Sequence, residues 1–247
     1  MKFVLRGLLV FFSIILLWQS LVSLFHLPPY ILPSPFAVMH IGYDRFNLLA
    51  HEAMITIMET LLGLSLGILL GCLAALVMVF CRPFSFWLFP ILIISQAIPT
   101  FAIAPLLVIW FGYGIASKIA TTIIMIFFPI TSAFFDGLQR TESGWIDLAK
   151  TMNAKRWRFF WYIRIPAALP QLASGLRVAT AIAPIGAVVG EWVGASQGLG
   201  FLMLNANARM QINLLFAALF VLVMFSLTLY FLVDKLLWIF IPWQQKE

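Results

Sequence analysis

Six long apolar segments constrain the fold of this chain more than any other feature. Each can cross the hydrocarbon core of a bilayer, which takes about twenty mainly apolar residues in a helix. Only 10% of the 247 residues are charged, against about 25% in soluble domains. The sequence therefore predicts an all-α, polytopic membrane protein with one transmembrane domain, residues 1–247. The predicted spans are residues 5–25, 54–80, 86–111, 119–135, 169–193 and 214–239.

The basic residues predict how the spans are oriented. Cytoplasmic loops of membrane proteins carry an excess of Lys and Arg. If the N-terminus lies inside, twelve of the fifteen basic residues fall on the cytoplasmic side, and only Arg45, Lys118 and Arg209 fall outside. We therefore expect both termini in the cytoplasm. The net charge of +6 is explained by this topology and does not indicate nucleic-acid binding.

The most polar part of the chain lies between the fourth and fifth predicted spans, and we call residues 140–166 the polar loop. Within it, 147–152 reads as a short helix. Asn153 is expected to end that helix, because Asn tolerates a left-handed backbone conformation. A second helix is expected over 154–163, followed by a break at Pro166 and Pro170. Its aromatic stripe would suit the surface of a bilayer. The aromatic residues of the stripe are Trp157, Phe160 and Trp161, and Arg164 follows on the same helix face.

The spacing within the polar loop resembles the coupling loop of binding-protein-dependent ABC importer permeases. That family shows Glu-Ala-Ala, three residues, Gly, nine residues and Ile-x-Leu-Pro. This chain has Asp-Leu-Ala at 147–149, Asn153, and Ile-Arg-Ile-Pro at 163–166. The resemblance implies a coupling helix that docks into an ATPase subunit; the alternative is an ordinary basic cytoplasmic loop. The residues so implied are Asp147, Leu148, Ala149, Lys150, Met152, Asn153, Ile163 and Pro166.

Other segments resemble narrower groups of the same permeases. The Leu-Pro-Ser-Pro sequence at 32–35 is similar to that of nitrate, sulfonate and taurine importers, although it also fits a purely structural loop on the membrane surface. The segments 205–220 and 230–243 resemble permeases for thiamine-precursor pyrimidines. The resemblance implies import of a small polar solute, either such a pyrimidine or a sulfonate, taurine or nitrate.

The family resemblance also implies an assembly. It predicts a homodimer in the bacterial inner membrane, surrounded by lipid, with P-loop ATPase subunits inside and a periplasmic solute-binding protein outside. The chain itself contains no Walker-type phosphate loop, so we expect no ATP hydrolysis by this subunit alone. No cofactor is expected. The histidines His26, His40 and His51 form no metal-ligand spacing, and no metal site is predicted.

A few polar residues in the predicted spans are candidates for a translocation pathway. Charged groups in a membrane are costly and usually face a protein interior or an aqueous cavity. We select Gln96, Arg177 and Glu191. Glu59 is either a partner for one of these charges or a residue at a lipid-shielded interface. Arg177 could instead reach the cytoplasmic headgroups, and Glu191 could lie in interfacial water.

Glycine stripes favour close packing of the second and fifth spans. They are Gly63, Gly67 and Gly71 in one span, and Gly186, Gly190, Gly194 and Gly198 in and just after the other. Pro184 predicts a kink in the fifth span. Pro99 and Pro105 are expected to break the third span. This break permits a second hypothesis, an ion-coupled secondary transporter, although the two halves show no convincing repeat. An intramembrane enzyme is unsupported, because neither H-E-x-x-H nor G-x-S-x-G occurs.

Overall fold

The computed structural model describes residues 2–243, and these residues form helices without any strand. This agrees with the predicted all-α class. The helices are α1 (Lys2–Leu24), α2 (Pro35–Asp44), α3 (Phe46–Phe80), α4 (Arg82–Ala97), α5 (Thr100–Phe111), α6 (Ile115–Gln139), α7 (Ser143–Thr151), α8 (Arg156–Phe159), α9 (Ile165–Gly194), α10 (Leu199–Ala208) and α11 (Ile212–Phe240). One turn of π-helix, Phe160–Arg164, joins α8 to α9.

Four helical segments of the described chain are long and apolar enough to cross a bilayer. They are α3, α6, α11 and the continuous segment Arg156–Gly194, which contains α8 and α9. Helices α4 and α5 meet the same criteria only as a pair, and this pair bends by 108°. The predicted count of six spans therefore stays a prediction. The side chains of Lys2 and Arg6, and the whole of Lys246, lie outside the described part of the chain.

Prolines interrupt the spans less than the sequence predicts. The third span does break at Pro99, but Pro105 lies within α5 and does not end it. Likewise, Pro170 and Pro184 both lie inside α9, and Pro166 lies in its first turn. The predicted break at Pro166 and Pro170 is therefore wrong. A π-helical turn just before Pro166 changes the hydrogen-bond spacing there, which lets the helix continue.

The described chain divides into two compact units, each built from two separate stretches of sequence. The first unit contains residues 1–56 and 196–224, and the second contains 57–195 and 225–247. Helices α3 and α11 each contribute to both units. Treating 1–247 as one transmembrane domain remains a prediction, and the two units are described separately below.

The second unit is organised around α6 and α9, which make the most extensive contact between helices. Their backbones approach so closely that glycine is needed. A Cβ at Gly186 would lie 2.8 Å from the Cα of Thr122, and one at Gly190 would lie 2.9 Å from the Cα of Lys118. Small residues therefore set the distance between the two helices, as the stripe on the fifth span predicts.

Helix α3 packs on α6 through its own glycines, but here glycine meets side chains instead of backbone. A Cβ at Gly67 would lie 2.5 Å from the Cδ1 of Ile126. Gly71 faces Ile130 in the same way. Ile126 and Ile130 are fully buried and belong to one hydrophobic cluster with Leu64 of α3. Residues of α6 thus interlock with α3 on one side while the α6 backbone touches α9.

The first unit is held by hydrogen bonds at the ends of two short helices. Ser34 caps α2 by accepting a hydrogen bond from the N–H of Ala37 at 3.2 Å, and Pro35 occupies the first turn. This geometry favours the structural interpretation of the Leu-Pro-Ser-Pro sequence. Glu52 and Thr56 of α3 accept the N–H groups of Gly198 and Leu199 at the start of α10.

The glycine stripe of the fifth span ends earlier than the sequence predicts. Helix α9 stops at Gly194, so Gly198 is not on its face. Gly198 instead precedes α10 with a φ of +110°, a conformation that residues with a Cβ rarely adopt. A local turn, and not close packing between helices, requires glycine at this position.

Candidate functional site

The polar loop begins with α7, which ends in a Schellman motif. Asn153 has a φ of +51°, in the left-handed region. Its N–H donates to the carbonyl of Lys150 at 2.9 Å, and the N–H of Ala154 donates to the carbonyl of Ala149 at 2.9 Å. These are the two hydrogen bonds that define the motif. The prediction that Asn153 ends the helix in a left-handed conformation is therefore confirmed.

Helix α7 turns one small residue inward and most of the other predicted coupling residues outward. Ala149 is only 5% exposed, so its side chain packs within the chain itself. Leu148 and Met152 are large apolar residues with exposed fractions of 48% and 72%. Asp147 and Lys150 are exposed as well and form an ion pair of 2.9 Å. The exposed side of α7 therefore presents both apolar and charged groups.

The second half of the polar loop is joined to the helical core. The sequence predicts that its helix begins at Ala154, but the helix begins at Arg156. The ring of Phe160 is buried, with its centre 4.6 Å from that of Phe80 on α3. Arg164 donates a hydrogen bond to the carbonyl of Leu138 near the end of α6. The base of the loop is thereby tied to the helix that precedes it.

The remaining residues of the predicted loop pattern lie in this same segment. Ile163 and Pro166 are half-buried, so they do not share the exposure of the α7 surface. The indole rings of Trp157 and Trp161 are exposed and stack edge to face at 5.3 Å. They form the outer part of the predicted aromatic stripe, whereas Phe160 packs inward. The segment thus combines an anchored side with an exposed aromatic side.

A polar cleft of about 1060 Å³ lies beside the polar loop, within the second unit. Arg140 and Trp145 of the loop line it on one side, and Gln171, Ser174 and Arg177 of α9 line it on another. Asp234 and Trp238 of α11 complete the wall. The cleft therefore combines cationic, acidic, amide and hydroxyl groups with indole rings, which is suitable for a small polar solute.

Within this cleft, Arg177 forms an ion pair with Asp234. The Arg177 Nε lies 2.6 Å from a carboxylate oxygen of Asp234, and both side chains are partly exposed. The sequence analysis did not select Asp234, although a single acidic residue within the predicted sixth span is a visible signal. The pairing places Arg177 at a wall of the cleft, and the alternative in which it reaches the cytoplasmic headgroups stays open.

A second ion pair is buried near the other end of α6. The Nζ of Lys118 lies 2.6 Å from the Oε1 of Glu59, and the two side chains are 9% and 2% exposed. Glu191 of α9 is 1% exposed and reaches the Glu59 carboxyl group with its side chain. Three helices, α3, α6 and α9, thus contribute one ionisable group each. Lys118 was expected outside the membrane and was missed, because its partner is fifty-nine residues away in sequence.

The three predicted pathway residues lie in three different environments. Arg177 faces the cleft, Glu191 lies in the buried cluster, and Gln96 is exposed near the end of α4. The structure does not bring them together. Within the described residues no group of three or more His, Cys, Asp or Glu side chains is arranged to hold a metal ion.

Comparisons with known proteins identify a family. Residues 67–245 match the family model described as "Binding-protein-dependent transport system inner membrane component". A "Probable ABC transporter permease protein" of Haemophilus influenzae is 54% identical, over 96% of this chain and 97% of the relative. The "Formylaminopyrimidine transport permease protein ThiX" of Halalkalibacterium halodurans is 35% identical, over 97% of this chain and 96% of the relative.

A solved structure shows the same fold. It is titled "Crystal structure of an amino acid ABC transporter with histidines". The TM-score is 0.63 at 17% identity, and the match covers 81% of this chain and 95% of that chain. At this level of identity the likeness concerns the fold alone.

Proposed function

This chain belongs to the family of binding-protein-dependent transport system inner membrane components, and from this premise we propose how it works as the permease subunit of an ABC importer. The family is one of transport proteins and not of enzymes. Its members are multi-pass proteins of the inner membrane, which agrees with the apolar helices described above. The open questions are which surfaces bind the ATPase, which line the pathway and what is carried.

The exposed side of α7 is the proposed docking surface for a separate P-loop ATPase. The observation that carries this proposal is the orientation of α7, which exposes Leu148 and Met152 as apolar contacts beside the charged pair Asp147–Lys150. Exposed apolar residues rimmed by charge are typical of an interaction surface. Ala149 faces inward, and in our proposal it supports α7 from beneath instead of touching the ATPase.

The polar cleft is the proposed inner end of the translocation pathway. The exposed face of α9 on this side carries Gln171 and Ser174 at the cleft, but it also carries the apolar residues Val178 and Ile185. Its polar groups are therefore concentrated at the cleft. This supports a pathway that begins at the cleft, with Arg177 at its cytoplasmic end.

A homodimer completes the proposed pathway, because the polar groups of Gln171, Ser174 and Arg177 on α9 call for protein or water as their neighbour within a membrane. A periplasmic binding protein would deliver the solute from outside, and ATP binding by two ATPase subunits would switch the pathway. Both termini lie in the cytoplasm in this proposal. The ion-coupled secondary transporter is disfavoured by the family.

The proposed solute is a pyrimidine precursor of thiamine. The name of the relative from Halalkalibacterium halodurans supports this choice, together with the resemblance of segments 205–220 and 230–243. The indole rings of Trp145 and Trp238 in the cleft could stack on a heterocycle. A sulfonate, taurine or nitrate is the alternative, which the Leu-Pro-Ser-Pro resemblance favours.

Two variants at one position test the docking surface. Asn153→Val should weaken the end of α7 by about 1–2 kcal/mol, because a β-branched residue resists the left-handed conformation. Asn153→Gly is the matched control and should behave as the unchanged chain, since glycine adopts this conformation freely. The measurements are the amount of co-purified ATPase and the rate of solute uptake in reconstituted vesicles.

We expect Asn153→Val to lose ATPase and uptake together while its insertion in the membrane is unchanged. If Asn153→Val retains the ATPase and full uptake, then the geometry of α7 does not matter for docking. Uptake by the purified chain with no ATPase present would overturn the importer mechanism itself.

A further inference from the structure

The first unit contains an apolar groove that the proposed function does not use. Its volume is about 560 Å³, and its walls come from α1, α2, the start of α3 and the first half of α11. The lining includes Trp18, Val38, Gly42, Phe46 and Phe220. The indole N–H of Trp18 donates to the carbonyl of Pro33, so the polar group of this ring is already satisfied. Nothing in the groove offers a polar solute a hydrogen bond.

A second, more polar cleft lies at the C-terminal end of α2. It has a volume of about 450 Å³ and is lined by Arg45, Tyr30, Gln211 and Asn213, among others. Arg45 is exposed and forms no ion pair within the described residues, since the nearby Asp44 pairs with His40. A planar guanidinium beside amide and phenol groups suits a phosphate oxygen. Helix α2 thus borders both a site for an apolar chain and a site for an anion.

We propose that this pair of cavities binds one phospholipid, with an acyl chain in the apolar groove and its phosphate on Arg45. The apolar groove alone would accept any hydrocarbon. The adjacent unpaired cation selects an amphipathic anion, which in a membrane is a phospholipid. A small polar solute is excluded by the lining of the groove, and a second copy of the chain would have to bury Arg45 without a partner of opposite charge.

Gly42 provides the decisive variant. A Cβ at this position would meet no atom within 4 Å, and Gly42 lines the groove, so a leucine side chain would start in open space at the groove wall. Gly42 lies within α2, where leucine is a better helix former than glycine. Gly114 is the matched control, because a Cβ there would also meet nothing, and the residue lies in the other unit. Gly42→Leu should therefore block the acyl chain while the fold is unchanged.

The probe is phosphatidylglycerol with brominated acyl chains, which quench tryptophan fluorescence on contact. It is titrated into the purified full-length chain in detergent, and the contribution of Trp18 is the difference from a Trp18→Phe variant. We expect this quenching to saturate at about one lipid per chain. Gly42→Leu should raise the half-saturating concentration about tenfold or more, which corresponds to at least about 1.4 kcal/mol. Gly114→Leu should not change it.

Arg45→Gln tests the headgroup independently. It should raise the half-saturating concentration of the brominated phospholipid about tenfold, the effect of losing one charge-assisted hydrogen bond. It should not affect a brominated diacylglycerol, which has no phosphate. Equal, non-saturating quenching in the unchanged chain and in Gly42→Leu would show ordinary contact with bulk lipid and overturn the proposal. Quenching that appears only when a dimer dissociates would assign the groove to a second copy and would overturn it too.

Discussion

The stability of the chain should depend strongly on the ion pair between Glu59 and Lys118. Both groups are withdrawn from solvent, and Glu191 adds a second carboxyl group from α9. Removing one member of a buried pair leaves an uncompensated charge, which typically costs about 3–5 kcal/mol. Replacing both members by apolar residues of similar size costs much less. The pair therefore fastens α3 to α6 only while both members are present.

We expect Glu59→Gln to lower the thermal unfolding temperature of the purified chain strongly. The triple variant Glu59→Leu, Lys118→Met and Glu191→Met should recover most of the loss, because it leaves no buried charge in the cluster. Unfolding is followed by tryptophan fluorescence in detergent. Equal unfolding temperatures for Glu59→Gln and the unchanged chain would mean that the pair is hydrated and contributes little.

Helix α6 packs against its two neighbouring helices by different means, and this difference matters at the scale of elements. On the α9 side, glycines meet the backbone of α6, which cannot move away. On the α3 side, Gly67 meets the end of the Ile126 side chain, which a substitution can shorten. Overpacking caused by a glycine-to-alanine substitution should therefore be relieved by a second substitution on the α3 side, but not on the α9 side.

Gly67→Ala and Gly186→Ala should each destabilise the chain by about 1–3 kcal/mol through overpacking. In the background of Ile126→Ala, Gly67→Ala should cost little, because the added methyl group enters the space left by the isoleucine. Thr122→Ala should give no such relief to Gly186→Ala, since the obstacle is the Thr122 Cα. Unfolding of the single and double variants gives the two coupling energies. If the second substitution reduced the cost of the glycine substitution by a similar amount in both double variants, this account would be contradicted.

Orientation in the membrane is the property of the whole molecule that most needs a direct measurement. Tyr113, between α5 and α6, is 86% exposed and falls outside in the predicted topology. Lys155 of the polar loop is exposed and falls inside. Because the charge asymmetry predicts opposite sides for these two positions, they form a matched pair for labelling.

Single cysteines at Tyr113 and Lys155, in a chain whose Cys72 and Cys81 are replaced by alanine, test the orientation. A membrane-impermeant maleimide applied to spheroplasts should label Tyr113→Cys immediately. It should label Lys155→Cys only after the membrane is permeabilised. The reverse pattern would invert the topology and place the polar loop on the side away from any ATPase.

Features of this protein that depend on local physics could be predicted from its sequence. Apolar length predicted helices in a membrane, and the tolerance of Asn for a left-handed backbone correctly predicted the turn at Asn153. The spacing of the polar loop indicated the family. Glycine spacing predicted the close approach of α9, because small residues mark such contacts whatever the partner is.

Contacts between residues that are far apart in sequence depend instead on how the helices pack. Asp234 pairs with Arg177, and Lys118 pairs with Glu59. Ala149 faces inward. No local pattern encodes these outcomes, because a helix can present any of its faces to a neighbour and the choice minimises unpaired charge and empty space over the whole unit. The continuation of α9 through Pro170 has the same origin, since packing on α6 holds a helix that local propensity alone would interrupt.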